Sequence, residues 1–223
     1  MEQNLTITQN LYNSVKEIWE KYYIHPFILG MKNGTLDKEK FRFYLIQDYI
    51  YLLDYAKVFA LGIVKSNDEN IMKKFAILIN DILNSEMTIH NCYKDKLNIT
   101  NEDIKNTKQS LANVSYTKYM IEIGYSGDIL DILVAVLACS WSYKEIGNDL
   151  SKNSINSIDN FYNDWIKGYS TDTYEKDNNE LINLIDELGK NCSYEKYKKL
   201  EEIFINCSIY EYNFWNMAYN QEI

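Results

Sequence analysis

The chain has 223 residues, 46% hydrophobic and 25% charged, the balance of a folded protein with a sizeable core and not of a disordered chain. Its formal net charge is −9 and its lysines are spread along the sequence, which excludes a concentrated basic face for nucleic acid. One proline and eight glycines, where average usage gives about 11 and about 16, exclude a fold rich in tight turns and point to long helices.

Along the chain, the first residues, "MEQNLTITQN", are polar and predict no secretory signal. Apolar residues then recur at three- and four-residue steps. They predict helices at about 5–23, 36–65, 69–96, 101–110, 115–126, 128–151, 157–168, 175–190 and 194–220. Thr35, Thr100 (with Asp103 three residues on) and Ser193 are the expected N-caps. "NGT" at 33–35 and "GYSGD" at 124–128 are turn signals. No alternation long enough for a sheet occurs, so the expected fold is all-α, a single-domain up-and-down bundle over 1–223. The most apolar run, "DILDILVAVLACSW", holds two aspartates and is too short to span a bilayer, so a soluble, cytoplasmic protein with no membrane partner is expected.

Cys92, Cys139, Cys192 and Cys207 stand far apart with no CxxC pair, and His25 and His90 are the two histidines. That spacing predicts reduced thiols and no metal site.

A helical wheel shows more. The stripe of helix 36–65 contains Phe41, Tyr44, Leu45, Tyr51, Leu52 and Tyr55, with Asp48 at its centre. In helix 128–151, Cys139 is central among Ile132, Ala135, Val136, Tyr143 and Ile146. In the last helix Glu211 is central among Phe204, Cys207, Phe214, Trp215 and Ala218. A buried carboxylate costs several kcal/mol unless hydrogen-bonded or protonated, so each acid needs a partner. Tyrosine hydroxyls are the available donors, with Tyr51 one turn from Asp48 and Tyr143 one turn from Cys139. A lysine from another helix is the alternative partner.

Each reactive group also has a plain reading. A cysteine on an apolar face is more often a small hydrophobe than a nucleophile, and helical spacing alone favours that for Cys139 and strongly for Cys207. Tyrosine stripes usually pack. The coincidence of thiol, two carboxyls and hydroxyls on faces turned to one interior weakens these readings together. Such a pocket suits covalent attack on an electron-poor carbon with protonation of the atom that takes up charge.

The runs "HPFILGMKNGTLDKEKFRFYLIQDYIYL", "YAKVFALG", "SYTKYM", "CSWSYKEIG" and "SIYEYNFWNMAY" closely resemble the thiaminase II family, known as TenA, from about residue 10 to about 220. The resemblance implies a haem oxygenase-like helical fold, usually a homotetramer, that needs no cofactor. It implies an aminopyrimidine aminohydrolase of thiamin salvage. Such an enzyme converts 4-amino-5-aminomethyl-2-methylpyrimidine to the 5-hydroxymethyl compound and ammonia, and many members also cleave thiamin. Position by position, Cys139 in C-x-W-x-Y matches the nucleophile, Glu211 in Y-E-Y the acid, and Tyr51 the hydroxyl that activates the thiol. Asp48 in Q-D matches the carboxylate that binds the pyrimidine, and Tyr143, Tyr116 and Tyr169 match further substrate contacts. Trp141, on the opposite side of its helix, is expected to pack. After Tyr169, "STDTYEK" departs from the family's pattern and places Asp172 and Tyr174 in looser register.

Two other readings stay open. A haem or di-iron oxygenase-type protein on the same fold requires histidine ligands, for which only His25 and the Glu86–His90 helix-face pair are available. A non-catalytic bundle that binds a small ligand is the other.

Overall fold

The computed structural model describes residues 5–153 and 160–223; the side chains of Ser85 and Glu86 are outside that description. The described residues form helices and no strand: α1 (Ile7–Tyr23), α2 (Pro26–Asn33), α3 (Lys38–Lys65), α4 (Glu69–Asp81), a π-helical turn (Ile82–Glu86), α5 (Met87–Lys94), α6 (Asn101–Asn106), α7 (Leu111–Ser126), α8 (Ile129–Asn153), α9 (Asn163–Gly168), α10 (Asp172–Gly189) and α11 (Tyr194–Asn220).

The cap chemistry explains most boundaries. Thr6 and Gln9 form a capping box at α1, and Thr100 and Asp103 form the expected one at α6. Ser193 accepts from the Lys196 amide, as expected for the start of α11. Thr35 does not cap α3, contrary to the sequence reading. Gly34 ends α2 at φ 69°, and the Thr35 and Leu36 amides both donate to the Gly30 carbonyl, so that stretch closes α2. Asp37 caps α3 instead, accepting from the Glu39 amide at 2.8 Å. The short helix α2 itself was not expected; His25 caps it through Nδ1, and Pro26 occupies its first turn.

The helix expected over 69–96 is interrupted. Its π turn at Ile82–Glu86 inserts extra residues per turn, so the faces of α5 are rotated away from those predicted by a continuous wheel. The expected helix 157–168 is described only from 160, where α9 begins at Asn163.

Helix α8 is the centre of the bundle, and α11, α10, α7, α9 and α3 pack around it. Residues Ile132 through Cys139 are all buried, so no face of this stretch meets solvent. Near its start, buried Asp131 is paired with Lys196 at 2.7 Å and Lys199 at 2.9 Å. Trp141 packs as expected: its ring stacks on Tyr12 at 5.5 Å and meets Trp19 edge-on at 5.5 Å. No described helix is long and apolar enough to cross a membrane.

Candidate active site

Helices α3, α8 and α11 bring the three central polar residues into one interior. Asp48 is 4% exposed, Cys139 8% and Glu211 2%. All are buried, as the stripes require.

Glu211 has no lysine or arginine partner among the described residues, unlike Asp131. Burial, and next the charge of Asp48, push its carboxyl up to about 8, against the opposing pull of the Tyr116 hydroxyl and a hydrogen bond from the Cys139 thiol. Tyr116 lies close enough to favour the ionised acid, yet its hydroxyl is outside strict hydrogen-bond geometry and is otherwise unpartnered. Cys139 and Glu211 therefore form a direct thiol–carboxyl pair between α8 and α11.

The tyrosines close the cluster. Tyr51 stacks against Tyr55 at 5.4 Å and Tyr116 at 5.3 Å between ring centres. Its hydroxyl is directed at the sulfur of Met120, 3.9 Å away, and lies within electrostatic reach of Cys139. Tyr143 bonds through its hydroxyl to that of Tyr44 at 3.2 Å, and the Trp165 indole N–H donates to the same Tyr44 oxygen at 3.2 Å. Burial pushes the hydroxyls of Tyr44, Tyr51, Tyr116 and Tyr143 well above the ordinary tyrosine range, so they stay protonated and available as donors.

Among the described residues the hydrogen-bond partner of Asp48 is neither a tyrosine nor a lysine but a histidine, which corrects the expected donor. Its Oδ2 lies 2.8 Å from Nε2 of His90 on α5. The imidazole nitrogen donates and the carboxyl oxygen accepts. His90 is thus not simply one half of a pair with Glu86, whose side chain is outside the described residues. The other histidine, His25, is also committed within the protein: Nδ1 accepts from the Phe27 amide and Nε2 lies 3.1 Å from Asn216 Oδ1. Among the described residues no three His, Cys, Asp or Glu side chains converge as a metal site. Cys207, one turn before Glu211, is fully buried, and burial followed by the Glu211 charge pushes its thiol far up, the opposite of activation.

Tyr169 packs edge-on against Tyr143 at 4.9 Å. It also lines a cavity of about 660 Å³ beside the cluster, between α4, the π turn, α5, α9 and α10. None of the six other expected site residues lines this space. "STDTYEK" starts α10: Thr171 caps it, Asp172 is exposed in its first turn, and Tyr174 meets Tyr169 edge-on at 5.3 Å.

Three residues at the centre have no role assigned by the sequence reading. Tyr44 and Phe214 lie on the predicted stripes, and Phe214 meets Tyr51 edge-on at 5.6 Å and Tyr44 at 6.2 Å. Their signal was visible but not distinctive among 20 tyrosines and eight phenylalanines. His90 gave no local signal for its partner Asp48, which lies 42 residues away in the sequence.

Known proteins share this architecture along nearly the whole chain. A protein of Helicobacter pylori named aminopyrimidine aminohydrolase is 48% identical, covering 96% of this chain and 99% of that protein. A TenA homologue from P. horikoshii superposes with a TM-score of 0.89 at 31% identity, covering 97% of this chain and 99% of the other. A domain from Shewanella denitrificans with a haem oxygenase-like fold superposes at 0.76 with 15% identity, covering 98% and 94% of the two chains, and so shares the fold. The TENA/THI-4/PQQC family model matches residues 12–221. The all-α bundle is thus of the haem oxygenase-like kind, and the chain belongs to the TENA/THI-4/PQQC family.

Proposed function

We propose that this chain is an aminopyrimidine aminohydrolase of thiamin salvage, a single-domain hydrolase that converts 4-amino-5-aminomethyl-2-methylpyrimidine to the 5-hydroxymethyl compound and ammonia, and that also cleaves thiamin. The observation that carries the reading is the buried thiol–carboxyl pair of Cys139 and Glu211, set among protonated tyrosine hydroxyls. The name borne by the 48% identical relative supports the same substrate class.

In the reaction, Glu211 takes the proton of the Cys139 thiol, and the sulfur forms a bond to an electron-poor ring carbon of the pyrimidine. Glu211 then delivers that proton to a ring nitrogen, which receives the electron pair displaced by the attack. The raised position of Glu211 suits both halves of this transfer, because a group near the working pH gives and takes a proton readily. That electron pair then expels the amine, which leaves as ammonia once protonated. Water adds to the exocyclic carbon, the carbon–sulfur bond breaks, and the thiol is restored. The balance is one water consumed and one carbon–nitrogen bond exchanged for carbon–oxygen.

Asp48, held by His90, accepts from the pyrimidine amino group. Tyr51 donates toward the sulfur as it becomes anionic, and Tyr143, Tyr116 and Tyr169 form the walls against the ring. The scheme routes no step through a metal or organic cofactor. The reading extends to a cytoplasmic homotetramer, an assembly carried by the resemblance alone.

The test is ammonia release from the aminomethylpyrimidine beside thiazole release from thiamin, with the purified protein. Turnover of the aminomethyl compound is expected. Its absence, with no turnover of thiamin, leaves a ligand-binding bundle as the better reading.

A further inference from the structure

Three buried polar side chains from three helices form a hydrogen-bonded chain beside the site. The Trp165 indole N–H on α9 donates to Tyr44 Oη on α3 at 3.2 Å, and Tyr44 Oη lies 3.2 Å from Tyr143 Oη on α8. Tyr44 and Trp165 are 0% exposed and Tyr143 4%, so solvent is kept from these bonds and each is strengthened by its low-dielectric surroundings.

One end of the chain is fixed in direction. An indole N–H only donates, so Trp165 gives to Tyr44 and never accepts from it. Trp165 is also fixed in place. The start of α9 has no side-chain cap; instead the Tyr93 hydroxyl accepts from the Trp165 amide at 3.1 Å and donates to the Phe161 carbonyl at 3.1 Å. The Tyr44 ring is clamped as well, stacked on Phe41 at 5.7 Å and on Trp215 at 5.5 Å.

Two hydrogen orders are open to the Tyr44–Tyr143 bond. In one, Tyr44 gives its hydrogen to Tyr143, and the hydrogen of Tyr143 is free to point into the site. In the other, Tyr143 gives to Tyr44, whose oxygen then accepts twice, and Tyr143 offers the site only an acceptor. A hydroxyl oxygen that accepts one hydrogen bond becomes a stronger donor, whereas a second donor to the same oxygen gains less. The Trp165 bond therefore favours the first order. The charges nearby favour it too: Asp48 and Glu211 both bear on Tyr44 and on Tyr143, and a hydrogen turned toward negative charge is stabilised.

We propose that Tyr44 and Trp165 are positioning residues that order the Tyr143 hydroxyl as a hydrogen-bond donor to a lone pair of the bound pyrimidine. They act through Tyr143 and do not themselves touch the substrate. A ring carrying an N–H at the same place meets hydrogen against hydrogen, so the chain also selects the ring form that keeps its lone pair. The contact of Tyr143 with the pyrimidine rests on the aminohydrolase reading given above; the order of the chain does not.

The experiment is nuclear magnetic resonance of the full chain with its four tryptophans isotopically labelled at the indole nitrogen, the Trp165 signal being the one lost in Trp165→Phe. Titration with 4-amino-5-hydroxymethyl-2-methylpyrimidine is expected to move the Trp165 indole proton downfield, because an acceptor at Tyr143 strengthens every bond behind it. In Tyr143→Phe the same titration leaves that proton unmoved. In Tyr44→Phe the ligand-free signal lies upfield, its acceptor gone. For turnover of the aminomethylpyrimidine, Tyr44→Phe is expected to lower kcat/KM about 10-fold, and Tyr44→Phe/Tyr143→Phe is no worse than Tyr143→Phe alone. An upfield shift in the wild type, a shift kept in Tyr143→Phe, or losses that multiply in the double variant overturns the ordered chain. A downfield shift that needs Tyr143, in a protein that hydrolyses neither the aminomethylpyrimidine nor thiamin, keeps the chain and removes the aminohydrolase reading; turnover without that shift does the reverse. Circular dichroism of each variant separates a lost hydrogen bond from a lost fold, and the wild-type titration decides the direction of the chain whichever variants fold.

Discussion

His90 Nε2 lies 2.8 Å from Asp48 Oδ2, an interhelical hydrogen bond between two side chains that are each 5% exposed. The geometry makes His90 a positioning residue for the carboxylate proposed to bind the substrate's amino group. His90→Ala leaves a buried acid without its donor, a change that costs roughly 3 kcal/mol. Thermal denaturation is expected to show that loss. In the surviving folded protein, KM for the aminomethylpyrimidine rises more than kcat falls, and His90→Gln recovers part of the affinity. Unchanged KM in both variants would show that Asp48 needs no positioning.

The raised Glu211 carboxyl has a consequence for stability without any substrate. In the unfolded chain this acid ionises near its ordinary value, while in the folded protein it holds its proton up to about 8. Between those values the folded state binds more protons, so this contribution to stability is fully present below about pH 4 and is lost as pH rises toward and through about 8. Glu211→Gln removes the dependence. The melting temperature of the wild type, relative to that variant, is expected to fall by several degrees between pH 5 and pH 9. A constant difference across that range contradicts a raised carboxyl.

Gly147, the last residue of "CSWSYKEIG", shows how α8 seats the wall of the site. A Cβ there meets the Tyr169 carbonyl oxygen at 2.5 Å and its carbon at 2.7 Å, and backbone atoms yield less readily than the tip of a side chain. Gly147→Ala is expected to destabilise the protein by about 1–3 kcal/mol and to displace Tyr169. Thermal melts read the first effect, and a raised KM for the aminomethylpyrimidine reads the second.

The bundle and its central polar residues were legible because both depend on local periodicity. The wheel put Asp48, Cys139 and Glu211 on core-facing stripes, and all three are buried. Trp141, on the opposite side of α8 from Cys139, packs against Tyr12 and Trp19. What local spacing lost was long-range pairing. His90 read as one of a pair with Glu86 four residues before it, whereas it reaches across to Asp48 on α3, 42 residues away in the sequence. Thr35 looked like a cap because its hydroxyl has the right chemistry, yet the closure of α2 onto Gly30 takes that stretch first. The cavity had no local signature. Tyr55, Asp81, Tyr169 and Asn178 come from four separate segments, and only the packed structure brings them to one space.

The central claim is that the sulfur of Cys139 attacks the pyrimidine. Serine keeps the size of that side chain and replaces the thiol with a hydroxyl that is a far weaker nucleophile. The most direct measurement is ammonia release from 4-amino-5-aminomethyl-2-methylpyrimidine by Cys139→Ser, with circular dichroism to confirm the fold. The account predicts a loss of activity of about 10³-fold or more in a protein that melts like the wild type. Full activity in the folded serine variant would contradict it.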